Sequence, residues 1–461
     1  MFVGRISEQK ELSEAIKRPG SLSIVYGNRR VGKTALINKV CGESRMEYIS
    51  FECLRSSMRD NVDRLGAQLA SITTLGFNLH FDTFLDLFRY ADSLGRRMVF
   101  SIDEYPFLYS QNDRAYIDSL FQAIVDSHLS NISIVISGSH VGMMKALLSE
   151  GGPLFGRTEI VIHLEELNYL EASEFCPELT PYQKVAFYSV FGGSPFILQQ
   201  LDYSKSVEEN IKETFLRNTS SISFFVSEGY TADMAMRDSA NRVLEALGNS
   251  SMRHNDIENR LGLEHNGLLS KTLKSLTDMG FIDKVAPINR PNDKKKAPYR
   301  IKNNALRFYF AYLYGKANLL SILGPEAFYD ANIKDTLTSF IAKRFEDIAR
   351  SYFSLATKAG LLKGIYDIGT YYYDDPINRK NGEFDVALEK ADGYWIYEVK
   401  YLREKMGAAM IAKEVAQIKA IEEIDVKGIG FISINGFEST DYPYVLIDGA
   451  TLYSLIGNNN I

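Results

Sequence analysis

Cysteine is scarce in this chain. Its 461 residues include three, Cys41, Cys53 and Cys176, an odd number without metal-ligand spacing, which argues against a disulfide framework and against a zinc site. A reducing, cytoplasmic setting is the expectation. Long apolar runs are missing as well: no stretch approaches the ~20 residues that a membrane span needs, and Met1-Phe2-Val3-Gly4-Arg5 leads straight into an amphipathic pattern. Internal repeats and long low-complexity tracts are absent. Nor is there an excess of positive charge. With a net charge of -6, the whole surface is not built to coat nucleic acid, although a local basic patch still can bind phosphates.

What is present is the balance of an ordinary globular protein, 45% apolar and 24% charged residues, in a chain long enough for two to four domains. From Ser7 to Ile16 a cap-like Ser precedes apolar residues at helical spacing, and Leu22-Ser23-Ile24-Val25-Tyr26 reads as a buried strand. Further short strands are predicted at Tyr48–Phe51, Met98–Ile102, Ile132–Ile136 and Ile160–Leu164, separated by helical patterns such as Phe84 to Leu94 and Tyr116 to His128. That alternation predicts an α/β unit with a parallel sheet and helices on both faces. The expected division is this α/β core over 1–165, a helical lid over 166–232, a winged helix-turn-helix over 233–310 and a second α/β unit over 311–461.

The loop Gly27-Asn28-Arg29-Arg30-Val31-Gly32-Lys33-Thr34 follows the first strand and opens a helix. Glycines let such a backbone curl and present N–H groups to phosphate oxygens, Lys33 supplies a charge for the β and γ phosphates, and the Thr34 hydroxyl suits magnesium. ATP and Mg2+ are therefore the expected ligands. A neighbouring strand ending in carboxylates completes such a site, and Met98 to Glu104 provides one: Asp103 to orient magnesium with Thr34, Glu104 to polarise the attacking water.

The order of motifs resembles the archaeal-type ATPases, relatives of the AAA+ and STAND NTPases. It rests on Phe2-Val3-Gly4-Arg5 with Glu8 and Leu12, the Gly27–Thr34 loop, Ser101–Glu104, Ile136-Ser137-Gly138-Ser139, Pro153-Leu154-Phe155-Gly156-Arg157 and the lid motif Gly192-Gly193-Ser194-Pro195. The resemblance implies that Phe2 to Arg5 flank the adenine, that Ser139 senses the γ-phosphate and that Arg157 is an arginine finger or sensor.

Two further stretches carry chemistry. Between Phe281 and Lys302 the basic residues Lys284, Arg290, Lys294, Lys295, Lys296, Arg300 and Lys302 face only Asp283 and Asp293, which makes a DNA-contacting wing plausible beside Lys271 and Lys274 of the preceding helix. Farther on, Gly382 to Leu388 and Tyr394 to Lys400 read as a hairpin turning at Asp392-Gly393. Strand alternation puts Glu398 and Lys400 on one face where Asp385 can meet them, so that two carboxylates hold a metal and a lysine activates water. The spacing resembles the PD-(D/E)XK nuclease core, and that resemblance adds Glu346 as an accessory acid and a following helix with Lys413 and Gln417. Two readings follow: an ATPase whose nucleotide state controls a DNA-directed nuclease-like half, or an ATP-driven signalling switch that carries an inactive nuclease-like domain and binds a protein partner. A homo-oligomer is compatible with either, and a membrane role with neither.

Overall fold

The computed structural model describes residues 2–73, 80–230, 237–262, 267–291, 297–375, 380–421 and 424–455. Two compact units divide the chain, Met1–Glu166 and Leu167–Ile461.

In the first unit the aliphatic runs become five strands: β1 (Leu22–Tyr26), β2 (Glu47–Glu52), β3 (Met98–Asp103), β4 (Ile132–Gly138) and β5 (Ile160–His163). They pair in parallel in the order β2-β3-β4-β1-β5. β1 and β4 are buried along their whole length, as a sheet covered on both faces requires. Each fully buried Ile, Leu or Phe contributes about 1.5–3 kcal/mol, and two apolar clusters take them up, one against Phe84, Phe88 and Phe121, the other against Leu12, Leu36 and Ile37. Two expectations are corrected. Ser7 does not cap the first helix, Ile6–Ile16; Arg5 occupies the N-cap position with left-handed backbone angles of 61° and 32°. More important, the strand that ends in Asp103 is not adjacent to the strand before the phosphate loop, because β4 is inserted between them. Chain order carries no record of that insertion.

The second unit begins with helices, Tyr169–Ser173, Pro181–Phe191 and Pro195–Leu198 among them, in the stretch expected as a helical lid. Pro181 and Pro195 each sit in a first helical turn, where a missing N–H costs nothing. Helices Arg237–Leu247, His254–Leu261 and Leu268–Asp278 precede an antiparallel pair, β6 (Ile282–Lys284) and β7 (Tyr299–Ile301). The basic triplet Lys294, Lys295 and Lys296, with Asp293, lies outside the described residues. Helix Lys334–Lys358 then leads into β8 (Ile365–Asp375), β9 (Lys380–Lys390), β10 (Gly393–Lys400), β11 (Val426–Ser433) and β12 (Val445–Asp448). The order is β12-β11-β10-β9-β8, antiparallel from β8 to β10 and parallel from β10 to β12, so the sheet is mixed. Helix Ala408–Lys419 makes the crossover that the parallel β10 and β11 need. The segments 166–232, 233–310 and 311–461 share one apolar cluster, from Leu167 through Leu273 and Phe345 to Leu455.

Candidate functional site

The phosphate loop is set by what surrounds it. A Cβ on Gly27 would lie 2.0 Å from the Leu164 carbonyl oxygen, so only glycine allows β1 to turn there. Gly32 sits at φ 98° and begins helix Lys33–Gly42, a conformation that L side chains resist. Lys33 is buried, and its Nζ donates to the carbonyls of Gly27 (3.0 Å) and Asn28 (3.1 Å) across the loop. Burial pushes its ammonium below the usual lysine range, while Glu104 and Asp103 pull it back up. Val31 is buried in the core under the loop, and Arg30 takes a positive φ of 63°. Arg29 is close enough to Lys33 to add repulsion.

Asp103 is the convergence point. Thr34 donates to one of its carboxylate oxygens at 2.5 Å, Ser137 from the end of β4 donates to the other at 2.5 Å, and the Glu104 N–H adds a bond of 2.9 Å. Ser137 thereby spans the position that the inserted strand occupies. Ser137 belongs to the Ile136–Ser139 motif, and its place directly before Gly138 was the available signal for this contact. Glu104 is held with φ 49° and ψ 43°, a left-handed conformation costly for a non-glycine residue. Its carboxylate accepts from the Ser139 hydroxyl (2.9 Å) and N–H (3.2 Å). Loop, Thr34, Asp103, Glu104 and Ser139 therefore belong to one site at the carboxyl ends of parallel strands, where α/β sheets bind ligands.

Arg157 lies away from this cluster in the single chain, its Nε donating to Asp126 at 3.1 Å in a half-exposed ion pair. Arg5 is buried, donating to the Val31 and Glu165 carbonyls, so it braces the phosphate loop from behind. Phe2 packs against the same apolar cluster as Val31.

In the second unit, Asp385, Glu398 and Lys400 do come together. The ladder of β9 and β10 ends at Val386 opposite Tyr397, and the Asp385 carboxylate takes the next donor, the Val399 N–H, at 3.1 Å. Lys400 Nζ bonds Glu398 at 3.1 Å and pairs with Glu414 at 3.3 Å. Burial, reinforced by Asp385, pushes Glu398 up to about 7 and Glu346 up to about 8. Burial also raises Asp385, against the Val399 bond. Glu414 was missed: the sequence reading singled out Lys413 beside it, and the helix phase turns the next residue toward Lys400. Gln417 donates to the Tyr373 hydroxyl at 3.3 Å. Among the described residues no group of three or more His, Cys, Asp or Glu is placed to hold a metal ion, nor is any helix long and apolar enough to cross a membrane.

Residues 2–201 match a family described as an ATPase domain predominantly from Archaea, and residues 309–414 match one described as archaeal and bacterial proteins of unknown function. An uncharacterised protein of Methanocaldococcus jannaschii is 29% identical over 363 residues, 76% of this chain and 77% of its own. A Walker-type ATPase of Pyrococcus abyssi superposes with a TM-score of 0.52 at 17% identity, over 67% of this chain and 96% of that one. The ORC2 protein of Aeropyrum pernix gives 0.44 at 12% identity over 68% and 93%. Residues 2–201, which include the phosphate loop, therefore form an archaeal-type P-loop ATPase domain, and residues 309–414 belong to a domain of the second family.

Proposed function

We propose that this chain hydrolyses ATP with magnesium at the Gly27–Thr34 loop and that nucleotide state controls a phosphodiester-directed C-terminal unit acting on DNA. One observation carries the first half: Thr34, Ser137 and the Glu104 N–H all converge on Asp103 while Ser139 holds Glu104. The hard oxygen donors Thr34 and Asp103 suit magnesium, which when bound neutralises charge on the β and γ phosphates. The chain's own groups do the rest. Lys33 exchanges its bonds to the Gly27 and Asn28 carbonyls for phosphate oxygens, and the loop N–H groups with the start of helix Lys33–Gly42 cradle the chain of phosphates. Glu104, pre-set by its backbone, orients the water for attack. Lys33→Ala is expected to weaken ATP binding at least ten-fold, whereas Glu104→Gln keeps binding and lowers kcat a hundred-fold or more, read by titration and phosphate release. Normal turnover in Glu104→Gln removes the assigned role.

For the C-terminal unit, Asp385, Glu398, Lys400 and Glu346 support metal-assisted hydrolysis of a phosphodiester, Asp385 and Glu398 being the ligands and Lys400 the group that orients water. Asp385→Ala and Lys400→Ala are each expected to abolish cleavage of DNA in magnesium or manganese and to leave ATP turnover unchanged. A second reading is favoured by a specific observation: Lys400 is engaged by both Glu398 and Glu414, and among the described residues no three carboxylates stand within reach of one ion. In that reading the unit is an inactive nuclease-like scaffold, and the ATPase is a signalling switch that binds a protein partner. Cleavage absent in every nucleotide state decides for it.

A further inference from the structure

The second unit encloses a cavity of about 370 Å³ between the β6–β7 pair, helix Lys334–Lys358 and β8. Seven arginine and lysine side chains line it against four carboxylates. At its base stands Asp347, which serves four arginines. Arg350 donates to it at 2.5 Å and Arg300 bonds it directly, whereas Arg344 and Arg307 stand off at 3.7 and 3.9 Å. Those two guanidinium groups are almost wholly buried, and the Nε of each has no hydrogen-bond partner among the described residues. Burial pushes Arg307 down to about 9 and Arg344 down to about 10. Arginine does not give up its proton in proteins, so the cost of burying two under-partnered cations remains until an anion meets them. Asp283 is spent on Arg300, at 2.8 and 3.0 Å. Nearer solvent, Arg290 lies 4.9 Å from the Tyr372 ring and Arg253 6.0 Å from it. Lys343 is exposed at the rim.

We propose that this cavity receives a phosphate monoester, with Arg307 and Arg344 as the buried donors and Lys343 and Arg290 as the outer ones. Arg is suited to the task because its planar fork matches phosphate oxygens two at a time. The volume falls in the range of small-molecule sites and admits a single terminal phosphate with its sugar. Two sources share that chemistry, the 5′ end of a nucleic-acid strand and a free nucleoside monophosphate. The site does not depend on cleavage: a dead acidic cluster at Asp385 and Glu398 leaves it intact, and binding is measured without turnover.

The test uses the full chain carrying Lys33→Ala, which weakens the phosphate loop as a competing site. Calorimetry and fluorescence anisotropy compare a short single-stranded DNA bearing a 5′-phosphate with its 5′-hydroxyl twin, a nucleoside 5′-monophosphate and inorganic phosphate. A phosphorylated strand binding at least ten-fold tighter than its twin identifies the strand end. Binding of the monophosphate and inorganic phosphate without the strand preference identifies the free nucleotide. In either case Arg344→Gln is expected to weaken binding ten-fold or more. Lys343→Gln and Arg290→Gln, nearer solvent and so spared any folding defect, are expected to weaken it three-fold or more each. Strands that bind equally, together with no binding of phosphate or monophosphate, overturn the proposal. So does binding that persists in both outer variants.

Discussion

Gly27 and Gly42 lie at opposite ends of the loop-helix segment and are held to different standards. At Gly27 an added Cβ would strike the Leu164 backbone oxygen, and that backbone cannot retreat because the Leu164 N–H is bonded to the Tyr26 carbonyl at 2.7 Å. At Gly42, the last residue of its helix, a Cβ meets nothing within 4 Å. Gly27→Ala is therefore expected to cost about 1–3 kcal/mol through overpacking and to weaken nucleotide binding. Gly42→Ala is expected to be neutral or to stabilise by about 0.5–1 kcal/mol. Thermal unfolding of both variants, with and without ATP, checks the pair. Residue types were the most legible part of the sequence: glycine, lysine, threonine and paired acids stand in the order that a phosphate loop needs. Less legible were residues whose role is support. Ser137, Arg5 and Glu414 act by touching a named group, and a serine, arginine or glutamate in isolation carries no sign of what it touches.

At the scale of elements, strand positions in the first unit were readable because each is a short aliphatic run bounded by turn residues. Their order in the sheet was not, since pairing between parallel strands is decided by crossovers that leave no periodic trace. The consequence is chemical. Because β4 separates the loop from Asp103, Ser137 at its end supplies the second oxygen contact. Ser137→Ala removes a hydrogen bond to a carboxylate, an interaction of about 1.5–3 kcal/mol. To the extent that Asp103 is misplaced in the transition state, kcat/KM for ATP is expected to fall by about ten- to a hundred-fold, with the folded state little affected. Steady-state kinetics beside a melting curve separates the two. The mixed sheet of the second unit was legible as a hairpin followed by a crossover helix. The lid was not legible in detail, because apolar spacing continues through Pro181 and Pro195 although each begins a new helix.

For the whole molecule, ionisation ties the C-terminal unit to pH. Glu398 and Glu346 have an ordinary value of 4.5 and are held up to about 7 and about 8. A carboxyl raised on folding contributes stability that is full below its unfolded value and is lost as pH rises through its folded one. Stability of this unit is thus expected to decline between about pH 4.5 and pH 8, and Glu346→Gln with Glu398→Gln is expected to flatten that decline in denaturant titrations across the window. Asp347 works in the opposite sense. Burial alone would raise it, but Arg300, Arg350, Arg344 and Arg307 overcome burial and hold it well below the usual carboxylate range, so its contribution is lost only in strong acid.

The inserted strand has one more consequence. Neighbouring strands lie about 4.7–4.9 Å apart, so β1 and β3, two steps apart, are set at roughly twice that spacing by a ladder of backbone bonds that resists stretching. The sheet is in this sense a caliper whose jaws are the phosphate loop and the Asp103–Glu104 corner. Its opening is fixed by β4, a strand whose buried Ile134 and Ile136 take no part in the chemistry. Changes in the packing of those two side chains are a means of retuning the gap without touching a group that meets the nucleotide.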